Sequence, residues 1–439
     1  MGGLQGVKVI DLTAYAAGPG CSRILGELGA QVIKVEPFTG DEQRTQGMAW
    51  GMKFKTEFDD VAYDCGSFNK EWTAINLKSA EGHAFMLKML EDADIMITSF
   101  RDSALVKLGL DYDTLHAKFP KLVWGQLRGY GERGPDKDMK GFDATSYAAR
   151  GAIVMSFPNA GPHFEPGNSP IAFGDWNSSN ALTAGVLAAY AGALRTGIGD
   201  KVTTSLYHAA TWGMSSAIIA QQQGLDHPKS RKAAKCPTNN SYVSSDGVWF
   251  LICFGHYNKY CPLVFRTIGL DRYIEDPEYN TLEAISANGN YVEVVAAMEE
   301  AFKKKTFDEW KPIFTAKDIP FQQCFTVKDV LADEEAFAND QLRKVHYEDQ
   351  GYGDDKSYVI TTAPFRLKSI GDPVLYRSRP IGYDTRKIMQ QHGYTDAQID
   401  ALIADGSVLQ YAGAPVPAVA LEPNYGISPA NAAEAEGKK

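Results

Sequence analysis

The chain reads as an α/β protein: a doubly wound, mostly parallel sheet domain followed by a smaller mixed α/β domain. Three observations carry that expectation. Short, mostly apolar runs alternate with helical patterns through the first half of the chain, as in a parallel sheet covered on both faces. A basic stretch with Asp226, Pro228, Lys229, Arg231, Lys232, Lys235 and Pro237 then interrupts the pattern. Beyond it comes one strong strand, Val248 to Phe254, and amphipathic helices around 291–303 and 307–315.

Size and charge bound what such a protein does. At 439 residues, 44% of them hydrophobic and 22% charged, the chain has material for two or three domains with full cores. A net charge of −10 argues against bulk nucleic-acid binding, which needs a basic face, though a few local Lys and Arg still suit an anionic ligand. The six cysteines, Cys21, Cys65, Cys236, Cys253, Cys261 and Cys324, have no C-x-x-C spacing and read as free thiols of a reducing compartment, with no metal site. The opening Met-Gly-Gly-Leu-Gln-Gly lacks a signal-peptide pattern, and no run of about 18 apolar residues occurs. A cytoplasmic location, away from membranes, is therefore expected.

The elements follow in order. Val7 to Leu12 is a strand, Ala14 to Gly20 a small-residue loop, Cys21 to Gly29 a helix, and Gln31 to Glu36 a second strand stopped by Pro37: a βαβ unit. Gly18-Pro19-Gly20 is either a plain tight turn or a backbone lip against a flat ligand. It is not a dinucleotide loop, because Arg23 stands where G-x-G-x-x-G needs its last glycine. Residues 40–66 are polar and irregular, with Glu57-Phe58-Asp59-Asp60 within them, and long loops are often functional. Asn69 to Leu77 is a strand, and Ser79 caps a helix with Met86, Met89, Leu90 and Ala93 on one face. Asp94 to Thr98 is a strand ending at Ser99-Phe100-Arg101, where ligands of open α/β sheets collect. Leu122 to Leu127 is the next, ending in the glycine-rich Arg128 to Pro135. Lys201 to Leu206 is a strand, with helix following to Ala220. Two short helices, 386–391 and 395–404, and a frayed tail after Ala412 close the chain.

At the centre lies Ser169-Pro170-Ile171-Ala172-Phe173-Gly174-Asp175-Trp176. An apolar run ends at Gly174, one acid follows, and Ala181 to Ala193 reads as a long helix. Asp175 at a strand-to-helix corner has two readings. It is a helix N-cap, accepting from the free N–H groups of the first turn. Or it is an approachable carboxylate, kept ionised by the helix terminus, that attacks an activated acyl group.

Taken together, the motifs resemble those of the class III coenzyme A transferases, the family of formyl-CoA transferase, carnitine CoA-transferase and the α-methylacyl-CoA racemases. The resemblance runs from Gly6 to about Val408 and rests on Gly6 to Leu12, Ala17-Gly18-Pro19, Leu28 to Glu36 and Leu105 to Leu110. Gly129-Tyr130-Gly131 with Gly134-Pro135, then Gly174-Asp175 and Thr196 to Val202, complete it. It implies a large Rossmann-like domain over 1–222 completed by 375–439, a linker over 223–245, a small domain over 246–345 and a return linker over 346–374. It also implies a homodimer whose two chains interlock as linked rings.

The resemblance further implies the chemistry. Asp175 attacks the thioester of an acyl-CoA, giving a mixed anhydride and CoA thiolate, and an acceptor carboxylate then replaces the acyl group by way of an aspartyl-CoA thioester and a second anhydride. CoA thioester is substrate, with no permanently bound cofactor. N–H groups of the helix terminus would share the oxyanion's charge. The positions that match the family's CoA contacts are Tyr15, Ala16, Ala17, Asn69, Lys70, Ser99, Phe100, Arg101, Lys107, Gly129, Tyr130 and Lys140. Ser99 replaces the family's frequent Asn, and Phe254 to Tyr260, with His256, replaces a glycine-run lid. Trp176, Tyr147 and Phe142 are candidates for the acyl pocket. Pro228 to Lys232 and the pair Tyr257 and Tyr260 are similar to the transferases of phenyllactate and 2-hydroxyisocaproate in amino-acid fermentation. Two alternatives stand beside this. A racemase needs acid and base on both faces of the α-carbon, and Gly141-Phe142-Asp143 offers Phe where the racemases place His. A non-catalytic acyl-CoA binder would have no use for Gly174-Asp175.

Overall fold

A computed structural model describes residues 3–52, 61–158, 164–347, 357–370, 375–416 and 420–421. The chain forms two compact units: Met1–Ile153, Asn168–Ser215 and Asp333–Lys439 make the first, and Val154–Gly167 with Ser216–Ala332 the second.

The first unit runs β1 (Lys8–Leu12), α1 (Ala17–Glu27), β2 (Gln31–Glu36), α2 (Val61–Ser67), β3 (Glu71–Ile75), α3 (Ala80–Leu90), β4 (Ile95–Thr98), α4 (Asp102–Leu108), α5 (Tyr112–Lys118) and β5 (Val123–Arg128). After the short α6 (Ile153–Ser156), which from Val154 belongs to the second unit, the first unit resumes with α7 (Phe173–Thr196), β6 (Lys201–Ser205) and α8 (Leu206–Gly213). Strands β3-β2-β1-β4-β5-β6 lie side by side and parallel, and Val408–Leu409 adds an antiparallel edge to β3. The strands bury both faces, which explains their mostly apolar sequences, and the charged Asp11, Lys34 and Glu36 among them are buried as well. On one face Ile10, Ile33, Met96 and Trp124 pack with Phe85, Met86 and Met89 of α3 and with Ile388 and Ile399 of the two late helices, Thr385–Gln391 and Asp396–Ala404. On the other, α7 packs on β5 at Gly125, where a Cβ would sit 2.9 Å from Val186. The order changes direction at β1 and β4, whose carboxyl ends therefore flank a crevice.

Several elements differ from the sequence expectation. The strand expected from Asn69 starts at Glu71, because Asn69 takes a left-handed φ of 60°. The irregular 40–66 stretch holds a 3-10 helix, Glu42–Trp50, capped by Asp41, and also α2; Glu57 to Asp60 lie outside the described residues. No strand precedes α7: residues 164–170 are without regular structure, and the helix starts eight residues before Ala181. The expected lid stretch is helical from Tyr257, with Tyr260 stacked on Phe254 at 4.0 Å and His256 exposed at the helix start. Much of the tail after Ala412 also lies outside the described residues.

In the second unit an antiparallel sheet of β7 (Asn239–Val243), β8 (Trp249–Cys253) and β9 (Phe321–Gln323) buries one face. Tyr242, Phe250 and Ile252 pack there against Phe265, Met298, Phe302, Trp310 and Phe314 of its helices. No described helix of either unit is long and apolar enough to cross a membrane.

Candidate active site

The first turn of α7 is built by two unrelated stretches of chain. Ala172 opens it in the left-handed region at φ 55°, so Phe173, Gly174 and Asp175 are the first three helical residues. Asp175 is thus inside the helix and is not its cap. The free N–H groups of that turn are satisfied from elsewhere. Asp143, at the start of a wide-pitched turn over Asp143–Ala149, accepts the Gly174 N–H at 2.7 Å and also the Asp175 N–H. Only glycine fits at 174, since a Cβ there would lie 2.1 Å from the Tyr147 ring and 2.4 Å from Asp143 Oδ1. One turn on, Ser179 Oγ donates to the Ala17 carbonyl at 2.7 Å and ties α7 to the first turn of α1, which begins inside the small-residue stretch expected to be a loop. Gly20 permits that approach, because a Cβ there would meet Ser179 Oγ at 2.4 Å.

This arrangement reverses the electrostatics expected for Asp175. Its half-buried carboxylate makes no side-chain hydrogen bond among the described residues. Burial, then the negative charge of Asp143, push its pKa up to about 7. The helix terminus does not hold it ionised, because Asp143 already takes the N–H groups that carry the terminal positive charge. For the same reason the Gly174 and Asp175 N–H groups are not free to share an oxyanion's charge. Burial raises Asp143 as well, against the two N–H groups that favour its ionised form.

Asp175 faces a cavity of about 790 Å³. The walls follow from the topology. Ala14 to Ala17 come from the end of β1, Ser99 to Arg101 from the end of β4, and Leu127 to Gly129 from the end of β5. Across the crevice between β1 and β4 the Ala14 N–H donates to Ser99 Oγ at 2.9 Å. Gln43, Gln46 and Trp50 close one side; Lys137, Met139 to Ala144, Ser169 to Ala172 and Leu206 close the other. Arg101, Lys137 and Lys140 are cationic residues of a wall that mixes polar and apolar groups. The Arg128 guanidinium is committed to Asp102 and to the Gly131 and Lys137 carbonyls.

The residues singled out in the sequence divide accordingly. Tyr15, Ala16, Ala17, Ser99, Phe100, Arg101, Gly129 and Lys140 line the cavity together with Asp175. Four others are elsewhere. Lys70 is buried beneath the small-residue loop, its Nζ 2.9 Å from Asp11 and 3.0 Å from the Pro19 carbonyl, and burial lowers its pKa to about 8. Asn69 Oδ1 accepts the Tyr376 N–H, Lys107 is exposed on α4, and Tyr130 lies under the Arg150 guanidinium. Of the acyl-pocket candidates, Phe142 is on the wall and meets Tyr15 edge-on at 5.4 Å, while Tyr147 packs against Phe173 at 6.1 Å. Trp176 is not a lining residue. Sequence spacing gave no sign of Gln43, Gln46 and Trp50, which a 3-10 helix carries to the rim, or of Asp143 as the partner of α7. No group of three or more His, Cys, Asp or Glu among the described residues could hold a metal ion.

Comparison with known proteins identifies the family. The pattern of CoA-transferase family III matches residues 4–385. The chain is 35% identical over 409 residues to the (R)-2-hydroxy-4-methylpentanoate CoA-transferase of Clostridioides difficile, covering 93% of this chain and 100% of that one. It is 37% identical over 411 residues to the cinnamoyl-CoA:phenyllactate CoA-transferase of Clostridium sporogenes, covering 92% and 97%. Its fold is similar to the crystal structure of Rv3272 from Mycobacterium tuberculosis, with TM-score 0.71, 25% identity, and coverage of 85% and 96%.

Proposed function

The chain belongs to CoA-transferase family III, and from that premise we propose that it moves CoA between acyl thioesters and 2-hydroxy acids with Asp175 as covalent nucleophile. It is a CoA-transferase, taking an acyl-CoA thioester and a carboxylate as substrates. The 2-hydroxy acid class is drawn from the two relatives, which are named for such acids. The observation that carries the covalent step is the state of Asp175: a carboxylate without a hydrogen-bond partner of its own among the described residues, desolvated, beside a cavity of about 790 Å³. Desolvation makes a carboxylate a better nucleophile by removing the water that stabilises its charge.

In the proposed sequence an Asp175 oxygen bonds to the thioester carbon and the C–S bond breaks, leaving an anhydride and CoA thiolate. The thiolate attacks the aspartyl carbonyl, releasing the donor acid and forming an aspartyl-CoA thioester. The acceptor carboxylate displaces the thiolate, and the thiolate finally attacks the acceptor acyl carbon and restores Asp175. No net proton is consumed. Arg101, Lys137 and Lys140 supply positive charge for the CoA phosphates.

Incubation with acyl-CoA and no acceptor is expected to leave a hydroxylamine-reactive adduct on the peptide containing Asp175, read by mass spectrometry. Asp175→Ala and Asp175→Asn should lose the adduct and transferase turnover while remaining folded. Turnover near that of the unmodified enzyme in either variant would sink the proposal. α-Proton exchange with solvent deuterium is not expected, since Phe142 carries no acid or base.

We propose a homodimer as the working form. The support is an apolar strip on α7, where Ala181, Ala184, Ala188, Ala191 and Leu194 are all exposed at helical spacing. Trp212 of α8 is 80% exposed.

A further inference from the structure

Beneath the small-residue loop lies a row of buried charges outside the steps above. Asp11 of β1 contacts Lys70 at 2.9 Å and Lys34 at 3.8 Å; Lys34 Nζ contacts Asp41 at 2.9 Å and also donates to the Thr13 carbonyl. Glu36 takes both Arg44 Nε at 2.9 Å and Nη2 at 2.8 Å and accepts the Asp41 N–H at 3.0 Å. Three carboxylates face three cations, and their side chains are at most 5% exposed. A buried set of this kind is poor evidence for stability and better evidence for a fixed geometry.

What it fixes is found at Asp41. With one oxygen on Lys34, its other oxygen accepts the N–H of Tyr15 at 3.0 Å and of Gln43 at 3.0 Å. Both are cavity-lining residues, from two different segments of chain. Tyr15 needs such a hold, since it stands in the left-handed region at φ 65°, which a non-glycine residue adopts only when its surroundings impose it. The Tyr15 hydroxyl also contacts Glu42, joining the same two segments a second time. We propose that Asp41, paired with Lys34, is a positioning residue for the acyl-CoA donor, holding Tyr15 in its left-handed form and joining the loop after β1 to the Glu42–Trp50 segment as one wall of the cavity. The proposal rests on the transferase reading for the identity of the donor. It places Asp41 outside the bond-making steps, because Asp175 is carried by α7 and its first turn is held by Asp143.

The test is steady-state kinetics of Asp41→Ala, which leaves no oxygen for the Tyr15 and Gln43 N–H groups, with acyl-CoA as varied substrate. The donor KM is expected to rise tenfold or more while kcat stays within threefold. In a Tyr15→Gly background, where glycine takes the left-handed form without help, the same replacement is expected to raise KM less than threefold further. A kcat that falls tenfold with KM unchanged, or a full tenfold further rise in the glycine background, would overturn the assignment. If Asp41→Ala does not fold, Asp41→Glu decides: it keeps an acid for Lys34 but displaces the oxygen that holds Tyr15, so the donor KM is expected to rise threefold or more with kcat within threefold, and an unchanged KM overturns the proposal. Adduct formation on Asp175 in the unmodified enzyme is measured alongside, since its absence would count against the transferase reading and leave the Asp41 kinetics to be judged separately.

Discussion

Two carboxylates that sequence alone would keep apart, Asp143 and Asp175, set the behaviour of the site. Asp143 takes the terminal N–H groups of α7, and Asp175, desolvated beside it, is left with a pKa of about 7. An attacking carboxylate must be ionised, so kcat/KM for the acyl-CoA donor is expected to rise with pH through a limb near 7. Asp143→Asn keeps an oxygen for the helix terminus and removes the neighbouring charge. It should move that limb to lower pH, and an unmoved limb would show that Asp143 does not tune Asp175. Stability carries the opposite sign. A carboxyl group whose folded-state pKa lies above its unfolded value favours the fold while protonated, and that contribution is lost as pH rises from about 4 through 7. Asp175→Asn is therefore expected to stabilise the protein at pH 8 by about 2 kcal/mol and to leave it nearly unchanged at pH 4. Urea unfolding at the two pH values checks both. Asp175 could be nominated from Gly174-Asp175 before an acidic-looking helix start. Asp143 could not be assigned its part, because its bond spans 31 residues that no local pattern connects.

The start of α7 depends on contacts that a single extra carbon would break. Gly174 has no space for a Cβ between Tyr147 and Asp143, and Gly20 has none beside Ser179. Gly174→Ala is expected to cost about 3 kcal/mol in denaturant unfolding and to lower turnover, since relief of the clash must pull Asp143 off the helix terminus. Loss of stability with the pH limb and turnover unchanged would separate packing from positioning. Sequence periodicity located this helix but began it eight residues late, at Ala181 rather than Phe173. The first turn has a left-handed residue, a glycine and no local side-chain cap; the cap is supplied by the distant Asp143, and Asp175, the cap the sequence offered, lies inside the helix. The Glu42–Trp50 segment shows the same limit. Its cap, Asp41, was within reach of sequence reasoning, yet its role at the cavity is set by Tyr15 and Lys34.

At the scale of the molecule, the cavity opens where the strand order turns at β1 and β4, and every wall named above is a carboxyl-end loop or a segment laid against one. The exposed apolar strip of α7 is expected to be covered by a second copy. Sedimentation velocity over a hundredfold dilution should show a dimer throughout, and a folded monomer at any concentration would remove that expectation. The sequence by itself determined the α/β class, the parallel strands and the family, because full burial of a parallel sheet writes mostly apolar runs and tight loops write glycine. Through the family resemblance it also nominated Asp175 and the loops around Tyr15, Ser99 and Gly129, which sit at strand ends. Only the tertiary structure decided that Asp175 is desolvated and unpartnered among the described residues, that Lys70 closes a buried charge row away from the cavity wall, and that Asp41 holds Tyr15. Each of these depends on which charges meet across tens or hundreds of residues, and the energy of a charge is fixed by its neighbours and its access to water, neither of which a one-dimensional pattern records.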